Sequence, residues 1–274
     1  MRSRSIPDLV PADDRGLLLG DGLFETVRLR RGRPFRLDRH LLRLESSARL
    51  LGIPVPGELG QRVSQALLGW EGVDGALRIT LTRGAGAGVA PPTDPRPRLI
   101  VTVQETESDP EHARRGLSAR VLGRLDEKAL VTALKVTAYP ERIQAIRLAR
   151  SHGADEALLR NSRDRLVEGA ASNLYAVTRE GVLLAPGPEE GALAGITREL
   201  LLELAAELRL SVEERGVEVE EVAGLTEIFL SSSIRGVVAV TELDGHPVGS
   251  GSPGPVLLKL QRGLEERVAR EVPE

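Results

Sequence analysis

Helical and strand-type apolar patterns follow one another along this chain in irregular order, and this order constrains the fold most strongly. Between 37 and 51, apolar residues recur at helical spacing, with Asp38 as the expected N-terminal cap and Gly52 after the last turn. The other apolar runs are short and do not alternate regularly with helices. A doubly wound parallel sheet requires such alternation, so the sequence predicts an α+β fold.

The same patterns assign the remaining elements. Strands are predicted at 24–29, 77–82, 99–103, 119–122, 156–159, 173–177, 228–230 and 237–241. Helices are predicted at 140–152, 197–208 and 256–268. A strongly polar stretch at 105–116 lies between two strand-type runs and is the best candidate for a linker. We therefore expect an N-terminal domain at 1–108, a linker at 109–117 and a C-terminal domain at 118–274.

Composition narrows the possible functions. The 274 residues carry a net charge of −3, so no attraction to nucleic acid or to an anionic membrane is expected. The absence of cysteine excludes disulfides and thiolate chemistry, and the four histidines lack the spacing of metal ligands, so no metal is expected. The N-terminus lacks the apolar core of a signal peptide, and no apolar run could span a bilayer. A cytoplasmic protein is the expectation.

Lys135 stands in an apolar stretch and is one of only three lysines among 37 basic residues. Arginine can replace lysine where only charge is needed, but not where an amine must lose its proton and attack a carbonyl. This placement favours a lysine that forms a Schiff base. The alternative is a lysine at a strand end whose stem covers apolar surface while its ammonium stays in water.

Three further features are candidates for binding an anion or a cation. Arg43 lies beside the apolar stripe of the first helix and could hold a phosphate, or it could belong to a solvated helix face. The segments 195–197, which opens a helix, and 231–234, between two strands, offer backbone amides and hydroxyls to a phosphate. Glu168 could pair with a buried cationic nitrogen, or it could be a turn residue.

Taken in order, these segments resemble the class IV pyridoxal-phosphate aminotransferases, which include D-amino-acid aminotransferases, branched-chain aminotransferases and aminodeoxychorismate lyases. The matching stretches are 14–26, 40–48, 134–139, 154–157, 167–173, 193–198, 227–233 and 241–245. The resemblance implies a fold-type IV enzyme with a smaller N-terminal α/β domain and a larger C-terminal pseudo-barrel domain. It also implies pyridoxal 5'-phosphate as cofactor, small amino and 2-keto acids as substrates, and a homodimer with the active site near the subunit interface.

The resemblance assigns roles to particular residues. Lys135 would hold the cofactor as a Schiff base and, once displaced, would move the α-proton as general base and acid. Glu168 would pair with the pyridinium nitrogen, Tyr139 would donate to the ring hydroxyl, and Leu193 would pack on the ring face. The phosphate would be held by Arg43 and by the amides of Ile196, Thr197, Ser233 and Ile234.

The residues that bind the substrate are harder to assign. Familiar D-amino-acid enzymes hold the substrate carboxylate with an Arg-x-His pair in the loop that is 84–90 here, and this loop has neither residue. Arg28 and Arg83 flank the region and could replace the missing pair, since a planar guanidinium suits a carboxylate. Phe24, whose strand would reach toward the neighbouring subunit, completes the predicted substrate-binding set.

Three activities and one non-catalytic alternative compete. The first is transamination between an amino acid, such as D-alanine or D-glutamate, and a 2-keto acid. The second is aminodeoxychorismate lyase activity, giving 4-aminobenzoate and pyruvate, and the third is transamination of branched-chain L-amino acids. The stretch Phe24–Arg28 differs from the Phe-Glu-Gly-Ile-Arg of branched-chain enzymes, and Glu25 stands where lyases tend to have a hydroxyl residue, so the first is favoured. A non-catalytic relative is disfavoured because Lys135, Arg43, Glu168 and Tyr139 occur together.

Overall fold

The computed structural model describes residues 3–5, 10–70, 72–106 and 115–273. Its helices are Arg15–Leu19 (α1), Leu37–Leu51 (α2), Leu59–Leu67 (α3), Pro140–Ser151 (α4), Ile196–Glu207 (α5) and Pro255–Glu271 (α6). Its strands are Ser3–Ser5 (β1), Gly22–Arg30 (β2), Arg33–Pro34 (β3), Gly75–Thr82 (β4), Arg98–Glu105 (β5), Leu117–Arg124 (β6), Glu156–Arg160 (β7), Leu166–Gly169 (β8), Ser172–Val177 (β9), Leu183–Leu184 (β10), Val212–Glu213 (β11), Glu227–Ser232 (β12), Gly236–Leu243 (β13) and His246–Pro247 (β14). Short 3₁₀ helices occur at Pro188–Glu190 and Val219–Gly224.

The chain divides into two compact units. The first unit combines Met1–Glu107 with Leu134–Tyr139 and Val268–Glu274, and the second combines Ser108–Ala133 with Pro140–Arg267. The division into 1–108, a linker and 118–274 stays a prediction, and residues 109–114 of that linker lie outside the described residues. Because Lys135 and Tyr139 belong to the first unit, they are described with it below.

The first unit is built on an antiparallel sheet of five strands in the order β1-β5-β4-β2-β3. Successive side chains of a strand point to opposite faces, and the odd-numbered apolar residues of β2 and β4 are fully buried in one core with α2 and α3. Leu23 and Leu77 are examples. The even-numbered residues, among them Phe24 and Arg78, therefore share the opposite face of this sheet. Phe24, Arg28 and Arg78 lie on this face.

The second unit contains a closed barrel. Its sheet runs in the order β11-β10-β9-β12-β13-β6-β7-β8, and β8 also pairs with β9, which closes a ring of strands. β6 pairs in parallel with both β13 and β7, and the other pairings in the ring are antiparallel. Leucine and valine side chains such as Leu158, Leu174 and Val240 form a buried core. The mixture of elements and the barrel confirm the predicted α+β class.

The helix α2 tests the sequence patterns closely. Its bounds are those of the apolar stripe, and Gly52 ends it in the left-handed conformation, with its N–H donating to the carbonyls of Ala48 and Arg49. The expectation that Asp38 caps the start was wrong. The cap position is Arg36, because the first helical N–H groups donate to the Arg36 carbonyl, and Asp38 lies inside the first turn.

Among the described residues, no helix combines the length and the apolar character needed to cross a bilayer.

Candidate active site

The segment that carries Lys135 lies along the edge of β2. The Phe24 N–H donates to the Lys135 carbonyl at 2.9 Å, and the Thr137 N–H donates to the Gly22 carbonyl, also at 2.9 Å. Val136 forms an isolated antiparallel bridge with Leu23. These contacts are local to the first unit and fix the backbone on both sides of Lys135.

The Lys135 side chain lies on the Phe24 ring. Its Nζ is 4.5 Å from the ring centroid, within the range of a cation–π contact. Tyr139 packs against the same ring edge to face, with centroids 5.3 Å apart and an angle of 68° between the planes. Among the predicted site residues of this unit, Lys135 and Tyr139 therefore both contact the ring of Phe24.

Arg78 completes this group and was missed by the sequence analysis. Its guanidinium carbon is 3.9 Å from the Phe24 centroid. Arg78 is exposed as a whole, but partial desolvation of the guanidinium lowers its pKa from the ordinary value, and the electrostatic interaction with Tyr139 opposes the shift. In the part of the chain that the structure describes, no carboxylate pairs with this guanidinium. No sequence signal could have found it, because arginine makes up most of the basic residues.

On the opposite face of β2, Glu25 joins a buried cluster with α2. Arg43 donates to both Glu25 carboxylate oxygens, from Nε at 2.8 Å and from Nη2 at 2.7 Å, and His40 Nδ1 lies 2.7 Å from Oε2. Burial alone would raise the pKa of Glu25, but the hydrogen bonds and charges of His40 and Arg43 outweigh it and lower the pKa. The phosphate contact of Arg43 stays a prediction, and its contact with Glu25 is an additional one.

Arg83 is fully engaged within the first unit. Its Nε donates to Asp21 at 2.8 Å, and its two Nη atoms donate to the carbonyls of Leu51 and Gly52 at the end of α2. Arg28 lies on the even-numbered face of β2, opposite Ala76. Roles for Arg28 and Arg83 in binding substrate stay predictions, but the contacts of Arg83 give it a structural function as well.

The glycine-rich loop at 84–90 is held through its main chain. Arg15 is buried, and its guanidinium donates to three successive carbonyls, those of Gly88, Val89 and Ala90. Its Nε donates to Asp21 at 2.8 Å. The loop in which the familiar carboxylate ligands are missing is therefore ordered by a residue outside it.

In the second unit, Glu168 is held by two donors. It lies on β8 and is 2% exposed. Arg142 of α4 donates from Nη2 to Oε1 at 2.5 Å, and the Leu193 N–H donates to Oε2 at 3.1 Å. Arg142 also donates from Nη1 to the Ala170 carbonyl at 3.1 Å. The structure brings Glu168 and Leu193 together, and adds Arg142, which no sequence pattern distinguishes from the exposed arginines of α4.

The start of α5 leaves backbone donors open. Gly195 occupies the cap position, no side chain caps the helix, and the Glu199 N–H is the first to donate to the Gly195 carbonyl. Within the described residues, the N–H groups of Ile196 and Thr197 therefore have no acceptor, as an anion site at a helix N-terminus requires. Glycine is needed at 195, because a Cβ there would clash with Oδ1 of Asn173.

The turn between β12 and β13 contains Ser233 and Ile234. The Arg235 N–H donates to Ser232 Oγ at 3.2 Å, and Arg235 Nη1 donates to the buried carboxylate of Glu156 at 2.8 Å. Ser231 pairs with the Tyr175 hydroxyl at 3.0 Å inside the barrel. Glu156 thus binds Arg235 at the end of the turn. The sequence analysis did not single out Glu156.

Comparison with known proteins shows the family of the chain. The family model of amino-transferase class IV matches residues 22–243. D-alanine aminotransferase of Bacillus licheniformis is 31% identical to this chain, with 96% of this chain and 93% of that protein covered. The crystal structure of the Escherichia coli branched-chain amino acid aminotransferase is 28% identical and superposes with a TM-score of 0.88, covering 94% of this chain and 89% of that one.

A third similar structure bears on the cofactor. It is the PLP-bound form of a hypothetical aminotransferase from Mycobacterium tuberculosis, 28% identical, with a TM-score of 0.81 and coverage of 96% of this chain and 94% of that one. The expected fold-type IV architecture and the expected cofactor are confirmed. The chain belongs to the class IV aminotransferases and is a transaminase that depends on pyridoxal phosphate.

Proposed function

We propose that the enzyme transfers an amino group between a D-amino acid, such as D-alanine or D-glutamate, and a 2-keto acid. The observation that carries the proposal is the group of Lys135, Tyr139 and Arg78 around the Phe24 ring, which brings an amine, a phenol and a guanidinium together at one aromatic side chain. The likeness to D-alanine aminotransferase supports the D-amino acid proposal, and the likeness to a branched-chain aminotransferase supports the alternative.

The residues of the second unit fit pyridoxal phosphate. Glu168 supplies a buried carboxylate for a protonated ring nitrogen, and each of its oxygens keeps a lone pair beyond the bond it already accepts. The open N–H groups of Ile196 and Thr197 suit a phosphate, because the positive end of the helix dipole points at it. The turn amides of Ser233 and Ile234 are proposed to add further donors.

The chemistry then depends on a few proton and charge positions. When bound, the cofactor supplies an electron sink for the carbanion that forms at the substrate α-carbon. Lys135 Nζ would hold the cofactor covalently and, when free, would act as the general base that accepts the α-proton and then as the general acid that delivers it, within each half of the reaction. The backbone contacts around Lys135 fix the main chain from which this amine extends, and its Nζ lies 4.5 Å from the centroid of the Phe24 ring.

We assign the substrate carboxylate to Arg78, with Arg28 on the same face of the sheet. A guanidinium binds a carboxylate through two parallel hydrogen bonds, and Arg78 spends none of its donors on another described residue. Arg83 remains a candidate, although its three nitrogens already donate to Asp21, Leu51 and Gly52. We also propose a homodimer, on the resemblance to the family, which light scattering after size exclusion would test.

Substrate assays test the proposed function. The purified enzyme, saturated with pyridoxal phosphate, is given D-alanine with 2-oxoglutarate, then L-leucine with 2-oxoglutarate, then aminodeoxychorismate. Pyruvate and glutamate from the first pair, at a higher kcat/KM than the second, are the expected result. Faster turnover of L-leucine would replace the D-amino acid proposal by the branched-chain one. Aminobenzoate as the main product would replace it by the lyase.

A further inference from the structure

Glu168, the buried carboxylate that is proposed to hold the cofactor ring, forms an ion pair with Arg142. We propose that Arg142 is the resident counter-ion of Glu168: it compensates and orients the carboxylate in the cofactor-free enzyme, and a protonated ring nitrogen would share that task when the cofactor is bound. The inference rests on the proposed role of Glu168. It assigns Arg142 as a positioning residue, since it acts through Glu168.

The burial of Glu168 requires such a partner. The carboxylate is 2% exposed and lies in a strand whose neighbours are β7 and β9. A buried charge without a partner is strongly destabilising, and the Leu193 N–H alone brings no positive charge. Arg142 is the cation that the structure places on Glu168, and its side chain is itself only 22% exposed.

The geometry fixes the direction of the carboxylate as well as its charge. Arg142 donates from one nitrogen to Glu168 Oε1 and from another to the Ala170 carbonyl, so its guanidinium is anchored at two points. The second oxygen, Oε2, is fixed by the Leu193 N–H. Glu168 is therefore held at both oxygens before any ligand arrives, which reduces the ordering cost of binding.

Charge balance gives the inference its testable form. Glu168 and Arg142 form a pair with no net charge. In the wild type, the negative charge of Glu168 is therefore already compensated before a protonated ring nitrogen would bind. If Arg142 is removed, the cofactor-free enzyme keeps an uncompensated carboxylate, and a bound pyridinium restores the missing positive charge. Pyridoxal phosphate should then stabilise the variant more than it stabilises the wild type.

The experiment measures thermal unfolding without and with pyridoxal phosphate. Arg142→Met should lower the melting temperature of the cofactor-free enzyme by about 6 °C or more, and the cofactor should recover a large part of this loss. Arg142→Lys should lose less, because it keeps the charge. Arg147→Met, an exposed arginine of the same helix, is the matched control and should leave the melting temperature unchanged.

A second variant separates charge compensation from packing. In Arg142→Met/Glu168→Gln, no carboxylate remains to be compensated, so the double variant should be more stable without cofactor than Arg142→Met alone. Equal stability of the two would show that Arg142 acts by packing and would overturn the inference.

The same data keep the two proposals apart. If the cofactor raises the melting temperature of Glu168→Gln as much as that of the wild type, the proposed role of Glu168 fails, whatever Arg142 does. If Glu168→Gln reduces this shift while Arg142→Met behaves like Arg147→Met, the role of Glu168 stands and only the inference about Arg142 fails.

Discussion

Lys135 and Phe24 are joined twice: the Phe24 N–H donates to the Lys135 carbonyl, and the Phe24 ring lies under the Lys135 amine. The residue that binds the lysine segment through its backbone thus also contacts the lysine amine through its ring.

The first prediction concerns the amine itself. Lys135→Arg keeps the positive charge but cannot form a Schiff base or act as a proton acceptor, so it should lower turnover by at least about 10³-fold. Lys128→Arg and Lys259→Arg, at exposed positions, should retain turnover near that of the wild type. Steady-state rates with D-alanine and 2-oxoglutarate provide the measurement. A Lys135→Arg enzyme with more than a tenth of normal activity would contradict the assigned role.

The second prediction concerns Arg78. Arg78→Gln should raise KM for both the amino acid and the keto acid by roughly 10- to 100-fold, because charge-assisted hydrogen bonds to the carboxylate are lost. The absorption of the bound cofactor should be unchanged. Arg96→Gln is a suitable control, because Arg96 is 89% exposed and makes only a weak contact with Asp94. Unchanged KM values in Arg78→Gln would remove Arg78 from the site.

The third prediction separates Arg83 from Arg28. Arg83→Ala removes donors from Asp21 and from two carbonyls at the end of α2, so it should lower the melting temperature by about 5 °C. Arg28→Ala should have a smaller thermal effect and should raise KM. If neither variant changes KM for either substrate, the expectation that these arginines bind the carboxylate is wrong.

The fourth prediction uses the pH dependence of stability. The pKa of Glu25 lies below its ordinary value of 4.5 in the folded chain, because the contacts with His40 and Arg43 outweigh burial. A lowered folded-state pKa contributes stability above the unfolded-state pKa, and this contribution is lost as the pH falls through the folded-state value. In urea unfolding, the free energy of unfolding of the wild type should therefore be well above that of Glu25→Gln at pH 7. The difference between the two free energies should shrink below about pH 4. A difference that is constant with pH would contradict this.

The fifth prediction concerns the start of α5. Gly195→Ala places a methyl group against Asn173 Oδ1, so either the asparagine or the helix N-terminus must move. The affinity for pyridoxal phosphate should fall by about 10-fold or more, since the amides of Ile196 and Thr197 lose their alignment. Gly224→Ala, with open space around its Cβ position and no positive φ, should leave the affinity unchanged. Fluorescence titration of the cofactor-free enzyme gives both dissociation constants.

The sequence predicted features whose causes are local. The bounds of α2 follow from an apolar stripe and a glycine that adopts a positive φ, and both are visible in the sequence. Asp38 was misjudged because the cap position depends on the backbone of Arg36, which has a φ of 51°. No propensity favours that conformation for arginine, so the tertiary structure decides it.

Contacts between distant segments could not be predicted. The attachment of Lys135 to β2 is made by backbone groups, which are identical in every residue and leave no trace in the sequence. Arg78 and Arg142 were missed for a related reason: in a chain so rich in arginine, residue type does not distinguish a guanidinium that contacts an aromatic ring or a buried carboxylate from a solvated one.

The hydrogen bonds from Arg15 to the loop at 84–90 bear on which substitutions this loop can accept. Arg15 recognises carbonyl oxygens, which every amino acid provides, so the order of the loop does not depend on the side chains at 89 and 90. We therefore expect substitutions at 89 and 90 to leave the course of the loop unchanged. A buried arginine outside the loop thus lets the side chains of the loop vary, which we expect to cost little stability.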